Sequence, residues 1–212
     1  MNTHSHTHDF PILIVAAVEQ ELTPLRRLHH RNDLEFLVSG MGRGRAHASV
    51  QQRLTKNKYR LVISAGFSGG TTSGFHVGDL VVASEIVDCL SGQVLRPTFD
   101  RREMPSVSCG RFLTLDRVVR EPEMKKKMGI QYKTIAVDME SAAVGSAAQE
   151  AGIPWMAIRS ILDPMEVRLR ITSAWEAFQA VARPPQWGHL KKFMQDIRIA
   201  AESLAVGLNN SF

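Results

Sequence analysis

The chain has 212 residues, 44% hydrophobic and 22% charged, which is an ordinary globular composition with enough material for one core. Its net charge of +5 permits an anionic partner. The densest basic stretch, residues 124–133, lacks interleaved aromatic residues, so we predict a solvated face there and no nucleic-acid partner. No apolar stretch reaches the roughly 18 residues of a membrane span, and the polar start is unlike a signal peptide. Two cysteines without metal spacing indicate a reducing cytoplasm, and we expect neither a metal site nor a cofactor.

In chain order, a polar stretch predicts a disordered tail over residues 1–10, and a single domain follows over residues 11–212. The apolar runs that predict strands are residues 11–18, 34–42, 60–70, 79–88, 133–139 and 154–163. The helical patterns are residues 19–29, 45–58, 141–148, 173–183 and 188–208, and residues 89–109 are expected to be irregular. Strands that are apolar throughout and alternate with helices predict an α/β fold, with a mostly parallel sheet covered on both faces.

Acidic residues follow three of the predicted strands. Glu19 and Glu21 come after the first strand, Asp138 and Glu140 end the fifth, and Asp163 ends the sixth. Each acid alone has a structural interpretation, as a helix-dipole partner or a turn cap. Ligands bind at the carboxyl ends of strands in such sheets, so the acids together predict a shared cleft.

Glycine-rich turns follow the second and third predicted strands but do not fit the common nucleotide motifs. In "SGMGRGRA" the third glycine of a dinucleotide fingerprint would fall at Arg45, and no acid follows at the required spacing. The turn "SAGFSGG" lacks the lysine of a P-loop. Tight turns beside the acidic cleft are the remaining interpretation.

Four segments resemble one known family. The segment "AVDMESAAVGSAAQEAGIPWMAIRSILD" resembles the signature of the nucleoside phosphorylase and nucleosidase superfamily, in which one strand ends in a Met-Glu pair and the next in a catalytic Asp. The turn "AAVEQEL" is similar to that of the branch that hydrolyses methylthioadenosine and S-adenosylhomocysteine. "SGMGRGRAHASV" and "SAGFSGGTTSGFHVGDLVVASE" match the two glycine segments of the family. The resemblance covers residues 12–88 and 108–165.

The resemblance implies a three-layer α/β/α nucleoside phosphorylase-like fold with a mixed, mostly parallel sheet, and an enzyme that cleaves an N-glycosidic bond. Asp163 would donate a proton to N7 of the leaving purine, which requires a pKa raised by apolar neighbours. Glu21 would deprotonate the attacking water. Glu140 would accept hydrogen bonds from the ribose hydroxyls, and Met139 would lie against the sugar. Asp138 is then a structural acid.

The resemblance also assigns an adenine pocket. Ser68 and Gly69 would lie near the base, and Phe112 with Leu113 would form the stacking wall. An acidic donor at the position of Asp163 suits a 6-aminopurine in the family, so adenine is the expected leaving group.

The choice between water and phosphate depends on cationic side chains. Phosphorylases of the family carry arginines where this chain has its "EQE" turn and Ser64, so hydrolysis is favoured. Arg43 and Arg45 keep phosphorolysis open as an alternative.

The expected function is therefore a nucleosidase that releases adenine from a 5′-substituted adenosine. The chain length and tail resemble the hopanoid-associated phosphorylase branch, which implies adenosylhopane as a lipid-linked substrate and ribosylhopane as the product. The alternatives are a purine nucleoside phosphorylase, a methylthioadenosine/S-adenosylhomocysteine nucleosidase, or a binding module on an inactive scaffold. The family implies a homodimer, and the basic surface could rest on an anionic membrane.

Overall fold

The structure is a computed structural model that describes residues 10–28, 33–98, 104, 107–169 and 187–211. Residues 1–9 of the predicted tail and the whole predicted helix over 173–183 lie outside the described residues. The division into a tail and one domain stays a prediction.

Eight strands and five helices are present in the described part of the chain. The strands are β1 (Ile12–Ala16), β2 (Leu34–Val38), β3 (Leu61–Gly70), β4 (Leu80–Asp88), β5 (Val94–Leu95), β6 (Ser108–Thr114), β7 (Ala136–Asp138) and β8 (Trp155–Asp163). The helices are α1 (Glu19–Leu28), α2 (Arg43–Lys56), α3 (Pro122–Tyr132), α4 (Ser141–Glu150) and α5 (Trp187–Asn209).

All eight strands form one mixed sheet, which confirms the predicted fold class. The order is β2-β1-β3-β7-β6-β4-β5, and β8 pairs with both β3 and β4. Neighbours are parallel except in the pairs β3–β7, β4–β5 and β4–β8. The prediction of irregular structure over residues 89–109 is wrong where β5 and the start of β6 lie. The pattern of the sequence also did not identify α3.

Both faces of the sheet are covered, as the alternation along β1 illustrates. Leu13 and Val15 pack into a cluster with residues of α2 and α4, whereas Ile12, Ile14 and Ala16 pack into a cluster with residues of α1 and α5. Successive side chains of a strand point to opposite faces, so an apolar run buries both sets. The result is the three-layer arrangement. Among the helices of the described residues, none has the length and hydropathy that crossing a bilayer requires.

Helix α4 consists mostly of small residues because it lies close to the sheet. Seven of its ten residues are buried, and none of the seven is larger than valine. Gly145 lies against the indole of Trp155 on β8, and a Cβ at this position would be 2.5 Å from the ring atom Cη2. Trp155 is itself 1% exposed, so the ring has little room to move. The small side chains therefore set the distance between α4 and the sheet.

We expect Gly145→Ala to lower the free energy of unfolding by about 1–3 kcal/mol, because the added methyl overpacks the contact with Trp155. Gly44→Ala is the matched control in α2, since a Cβ there meets no atom within 4 Å among the described residues. Alanine normally favours a helix over glycine, so the control should be neutral or gain up to about 1 kcal/mol. Chemical denaturation measures both, and an equal response of the two variants would contradict the close packing.

Candidate active site

Four of the five acids that follow predicted strands, Asp138 among them but not Glu19, line one cavity. Its volume is about 190 Å³, and its walls include Glu21, Glu140 and Asp163. The remaining wall is mostly apolar and includes Val18, Met41, Phe67, Leu115, Val118, Val119, Val137, Met139, Leu162, Leu169 and Phe193. An apolar cavity with a few converging polar groups is the usual form of a small-molecule site.

Glu21 lies in the first turn of α1 and is held by backbone amides. Its Oε2 accepts hydrogen bonds from the amides of Ala17 at 2.9 Å and Val18 at 3.1 Å, and its Oε1 accepts one from Phe67 at 2.8 Å. The carboxyl group therefore bridges the end of β1 and the middle of β3. Burial raises its pKa, against the opposing effect of these three amides and of Arg159.

Gly66 makes room for this carboxyl group. A Cβ at that position would be 2.6 Å from Oε1 of Glu21, a distance that side chains do not tolerate. The glycine segment after the third predicted strand thus has a steric role at the site. It permits an acid from another element to lie against the strand backbone.

Glu140 directly precedes α4, and its side chain reaches the glycine turn that follows β2. Its Oε1 accepts a hydrogen bond from the amide of Gly42 at 2.7 Å. No hydrogen bond to its Oε2 occurs within the described ranges, so that oxygen is available to a ligand. Burial raises the pKa of Glu140 to about 7, and the nearby charges of Asp138 and Glu21 contribute in the same direction.

Asp138 is part of a buried ion-pair network beneath the cavity. It accepts hydrogen bonds from Arg159 at 3.0 Å, from the Thr114 hydroxyl at 2.8 Å and from Ser141. The guanidinium of Arg159 also donates to the carbonyl and hydroxyl oxygens of Ser64, at 2.7 and 2.9 Å. The network fixes the backbone just before Glu140.

Arg159 was not singled out from the sequence, although an arginine inside an apolar strand is itself a signal of a buried pair. It also lines a second, smaller cavity of about 10 Å³, which shares Glu21 and Glu140 with the main one. A space of this size between polar groups is close to what one water molecule needs. The small cavity lies beside Glu21, which the resemblance assigns as the residue that deprotonates water.

Asp163, the last residue of β8, lies beside Gly69 of β3 because the pairing shifts register between Ser68 and Gly69. A Cβ on Gly69 would lie 3.2 Å from Oδ2 of Asp163, so glycine allows the close approach. Burial raises the pKa of Asp163 to about 6, while Lys125 opposes the rise. The surroundings of Asp163 are therefore not the purely apolar ones expected, but include the charge of Lys125.

Lys125 corrects the prediction of a solvated face over residues 124–133. It lies in α3 and is 0% exposed, and its ammonium is 3.0 Å from Oδ2 of Asp163. Its neighbours Lys126 and Lys127 are exposed, as expected. The composition of the basic run did not show which of its lysines would face inward.

The residues that the resemblance assigns to the adenine pocket divide into two groups. Ser68 and Gly69 line the cavity, and the buried Oγ of Ser68 has no hydrogen-bond partner in the part of the chain that is described. Phe112 and Leu113 are both 0% exposed within the hydrophobic clusters and are not wall residues. Their assignment as a stacking wall is corrected here, because both lie inside β6 and not beyond its end.

The wall on that side is formed by the segment after β6. Leu115, Val118 and Val119 line the cavity there, and Val118 is 40% exposed at its mouth. The rule that ligands meet residues after strand ends would have identified this segment if β6 had been recognised. Met139 also lines the cavity.

Neither of the two arginines that kept phosphorolysis open lines the main cavity. Arg43 forms an ion pair with Asp88 and lines a separate cavity on the other side of the glycine turn. Arg45 is exposed on α2. The amide of Gly42, which could otherwise face an anion, is used by Glu140.

Known proteins resemble this chain in sequence and in fold. The family model described as the Phosphorylase superfamily matches residues 98–184. The 5′-methylthioadenosine/S-adenosylhomocysteine nucleosidase of Shewanella loihica is 28% identical over an alignment of 158 residues, and the match covers 61% of this chain and 68% of the relative. The nucleosidase of the same name from an Exiguobacterium species is 27% identical over 194 residues, covering 71% and 83%.

Two solved structures from Helicobacter pylori share the fold. The methylthioadenosine/S-adenosylhomocysteine nucleosidase with butyl-thio-DADMe-Immucillin-A has a TM-score of 0.74 at 18% identity and covers 94% of this chain and 96% of its own. Futalosine hydrolase has a TM-score of 0.75 at 19% identity and covers 95% and 97%. The fold and the site define an α/β protein with one mixed sheet and a mostly apolar cavity beside strand ends. The chain is similar to members of the nucleoside phosphorylase superfamily in sequence and in fold.

We expect the pH dependence of stability to reveal the proton on Glu140. Its pKa rises from 4.5 to about 7 in the folded state, so the folded chain holds a proton that the unfolded chain releases. That stabilisation is complete below about pH 4.5 and is lost as the pH rises through 7, an effect of up to about 3 kcal/mol. In Glu140→Gln the free energy of unfolding should fall correspondingly less between pH 4.5 and 7.5.

Denaturant titration across this range measures the difference, and Glu202→Gln, an exposed change on α5, is the control. The control should follow the wild-type pH dependence. If Glu140→Gln also ran parallel to the wild type, the carboxyl group would not carry the assigned proton.

Proposed function

We propose that the chain hydrolyses the N-glycosidic bond of a 5′-substituted adenosine and releases adenine. One observation carries the proposal: Glu21, Glu140 and Asp163 come from three separate parts of the chain and line a single apolar cavity. Relatives named methylthioadenosine/S-adenosylhomocysteine nucleosidase support the same reaction class.

The purine would lie between Asp163, Ser68 and the Leu115–Val119 segment. Breaking the bond to the sugar places negative charge on the purine, which a proton delivered to N7 neutralises. With a pKa of about 6, Asp163 keeps its proton to a higher pH than an ordinary aspartic acid does. The Oγ of Ser68, which has no partner among the described residues, would be free to hydrogen-bond to the base.

The sugar would lie between Glu140 and Met139. An oxocarbenium-like sugar is cationic, so a nearby carboxylate stabilises it more in the transition state than in the ground state. Glu140 has Oε2 free for the ribose hydroxyls while Gly42 holds Oε1. Glu21, beside the small second cavity, would take the proton of a water molecule that attacks from that side.

Water is favoured over phosphate by the charges around this position. Glu21 would repel a phosphate dianion, and the cation nearest to it, Arg159, is already paired with Asp138. Arg43 is directed to another cavity. Among the described residues, the exposed Arg117 after β6 is then the one arginine on the main cavity wall that phosphorolysis could use as its cation.

The proposed 5′ substituent is a large apolar group, with adenosylhopane as the finer candidate. The wall residues Met41 and Val118 are exposed at 52% and 40%, so the cavity has an apolar mouth. We further propose a homodimer whose neighbouring copy closes this mouth, and a basic surface that allows contact with an anionic membrane. Methylthioadenosine hydrolysis, the activity for which the relatives are named, is the second candidate.

The test is adenine release from 5′-methylthioadenosine, S-adenosylhomocysteine and adenosylhopane, each with and without phosphate. We expect release that does not depend on phosphate, with adenosylhopane cleaved at the highest kcat/KM. Asp163→Asn keeps the shape of the side chain but removes its proton, and it should lower kcat by about a hundredfold or more.

The exposed variant Glu202→Gln controls for the purification and the assay and should retain wild-type kcat. An absolute requirement for phosphate would contradict the role of Glu21. Full activity of Asp163→Asn would contradict proton donation, and absence of release from all three compounds would contradict the proposed function itself.

A further inference from the structure

A fully buried lysine touches the acid that would protonate the leaving base. Lys125 is 0% exposed, and its ammonium lies 3.0 Å from Oδ2 of Asp163. The same Nζ donates to the carbonyl oxygens of Pro164 and Val167, each at 2.7 Å. A charged lysine has three N–H donors, and these three strong acceptors match them.

The pairing is specific, because a buried charge is costly without good geometry. Removing an ammonium from water costs several kcal/mol, which only close partners can offset. A purely packing residue at this position of α3 would be served by leucine or methionine. The charge of Lys125 is therefore best explained by its contact with the carboxyl group of Asp163.

Only one of the two carboxyl oxygens of Asp163 is used in this contact. Oδ2 accepts from Lys125, and no other side chain in the described ranges donates to Oδ1. Asp163 is a wall residue of the main cavity, so Oδ1 is the oxygen available to a bound purine. Fixing one oxygen of a carboxyl group also fixes the direction of the other.

We propose, on the basis of the proposed function, that Lys125 is a positioning residue: it orients Asp163 toward the purine and stabilises the carboxylate that remains after proton transfer. In that step the proton on Oδ1 moves to N7 as the bond from the sugar to N9 breaks, and the bonding electron pair enters the purine. Water supplies hydroxide to the sugar and its proton goes to Glu21. Exchange with solvent then restores both acids.

The charge of Lys125 also bears on when Asp163 holds its proton. Burial raises the pKa of Asp163 to about 6, and Lys125 holds it below the value that burial alone would give. The other charged groups around the cavity in the described residues are Glu21, Glu140, the exposed Arg117 and the paired Asp138 and Arg159, all of which Lys125→Met leaves unchanged. Removing the lysine charge should therefore move the loss of the Asp163 proton to higher pH.

A structural role alone is the competing explanation, since Lys125 also ties α3 to the segment after β8. That role would affect the stability of the fold and the folded fraction. It would not change the pH at which activity is lost, and it would not change kcat per folded molecule. These two readouts separate the explanations.

The experiment compares Lys125→Met with Lys126→Met, the same change at the exposed neighbouring position of the same helix. The substrate is whichever of the three adenosine derivatives the wild type cleaves fastest, and the rate is normalised to folded protein. In Lys125→Met we expect kcat to fall about tenfold or more, KM to change little, and the alkaline limb of kcat/KM to move up by about one pH unit. Lys126→Met should match the wild type in all three.

If Lys125→Met does not fold, Lys125→Gln carries the same test, because its amide can still donate to the carbonyls but has no charge. An unchanged alkaline limb together with wild-type kcat per folded molecule would overturn the inference and leave the proposed function intact. A wild type that releases no adenine would overturn both.

Discussion

A carboxyl group that is buried loses its hydration, and Glu21, Glu140 and Asp163 are three of the four carboxyl groups that line one cavity in the described residues. Each is retained by a specific donor: three backbone amides at Glu21, the Gly42 amide at Glu140 and the Lys125 ammonium at Asp163. Burial nevertheless exceeds these contacts, so the pKa of each acid is raised. The site thus contains groups that can exchange protons near neutral pH.

The topology of the sheet brings Glu21, Glu140 and Asp163 together. Strand β3 lies next to β1 and β8, which are parallel to it, and next to β7, which is antiparallel. The residues at the ends of these three strands therefore meet along the second half of β3. Close approach then requires glycine: Gly66 admits Glu21 and Gly69 admits Asp163. The small residues of α4 bring the helix near the sheet just behind Glu140. Fold and site therefore depend on the same short side chains.

Much of this could be read from the sequence. Continuous apolar runs indicate buried strands, and acids at their ends indicate a cleft, so Glu21, Glu140 and Asp163 were accessible to that reasoning. The strand β6 was not, because its charged and glycine residues interrupt the apolar pattern. The stacking wall was placed at Phe112 and Leu113 by the resemblance, whereas the cavity wall lies in the segment after β6. Lys125 was missed for a different reason. A lysine in a basic run has the same local pattern whether it is solvated or buried, and only the partner 38 positions away distinguishes the two.

The most direct test of the account is a structure of the protein with a cationic-sugar analogue of adenosine. The account predicts that Asp163 is within hydrogen-bond distance of the purine N7 position, that Glu140 contacts the sugar hydroxyls, and that Glu21 lies on the face of the sugar opposite the base. An analogue bound with Asp163 out of reach of the purine, or with Glu21 on the same face as the base, would contradict it.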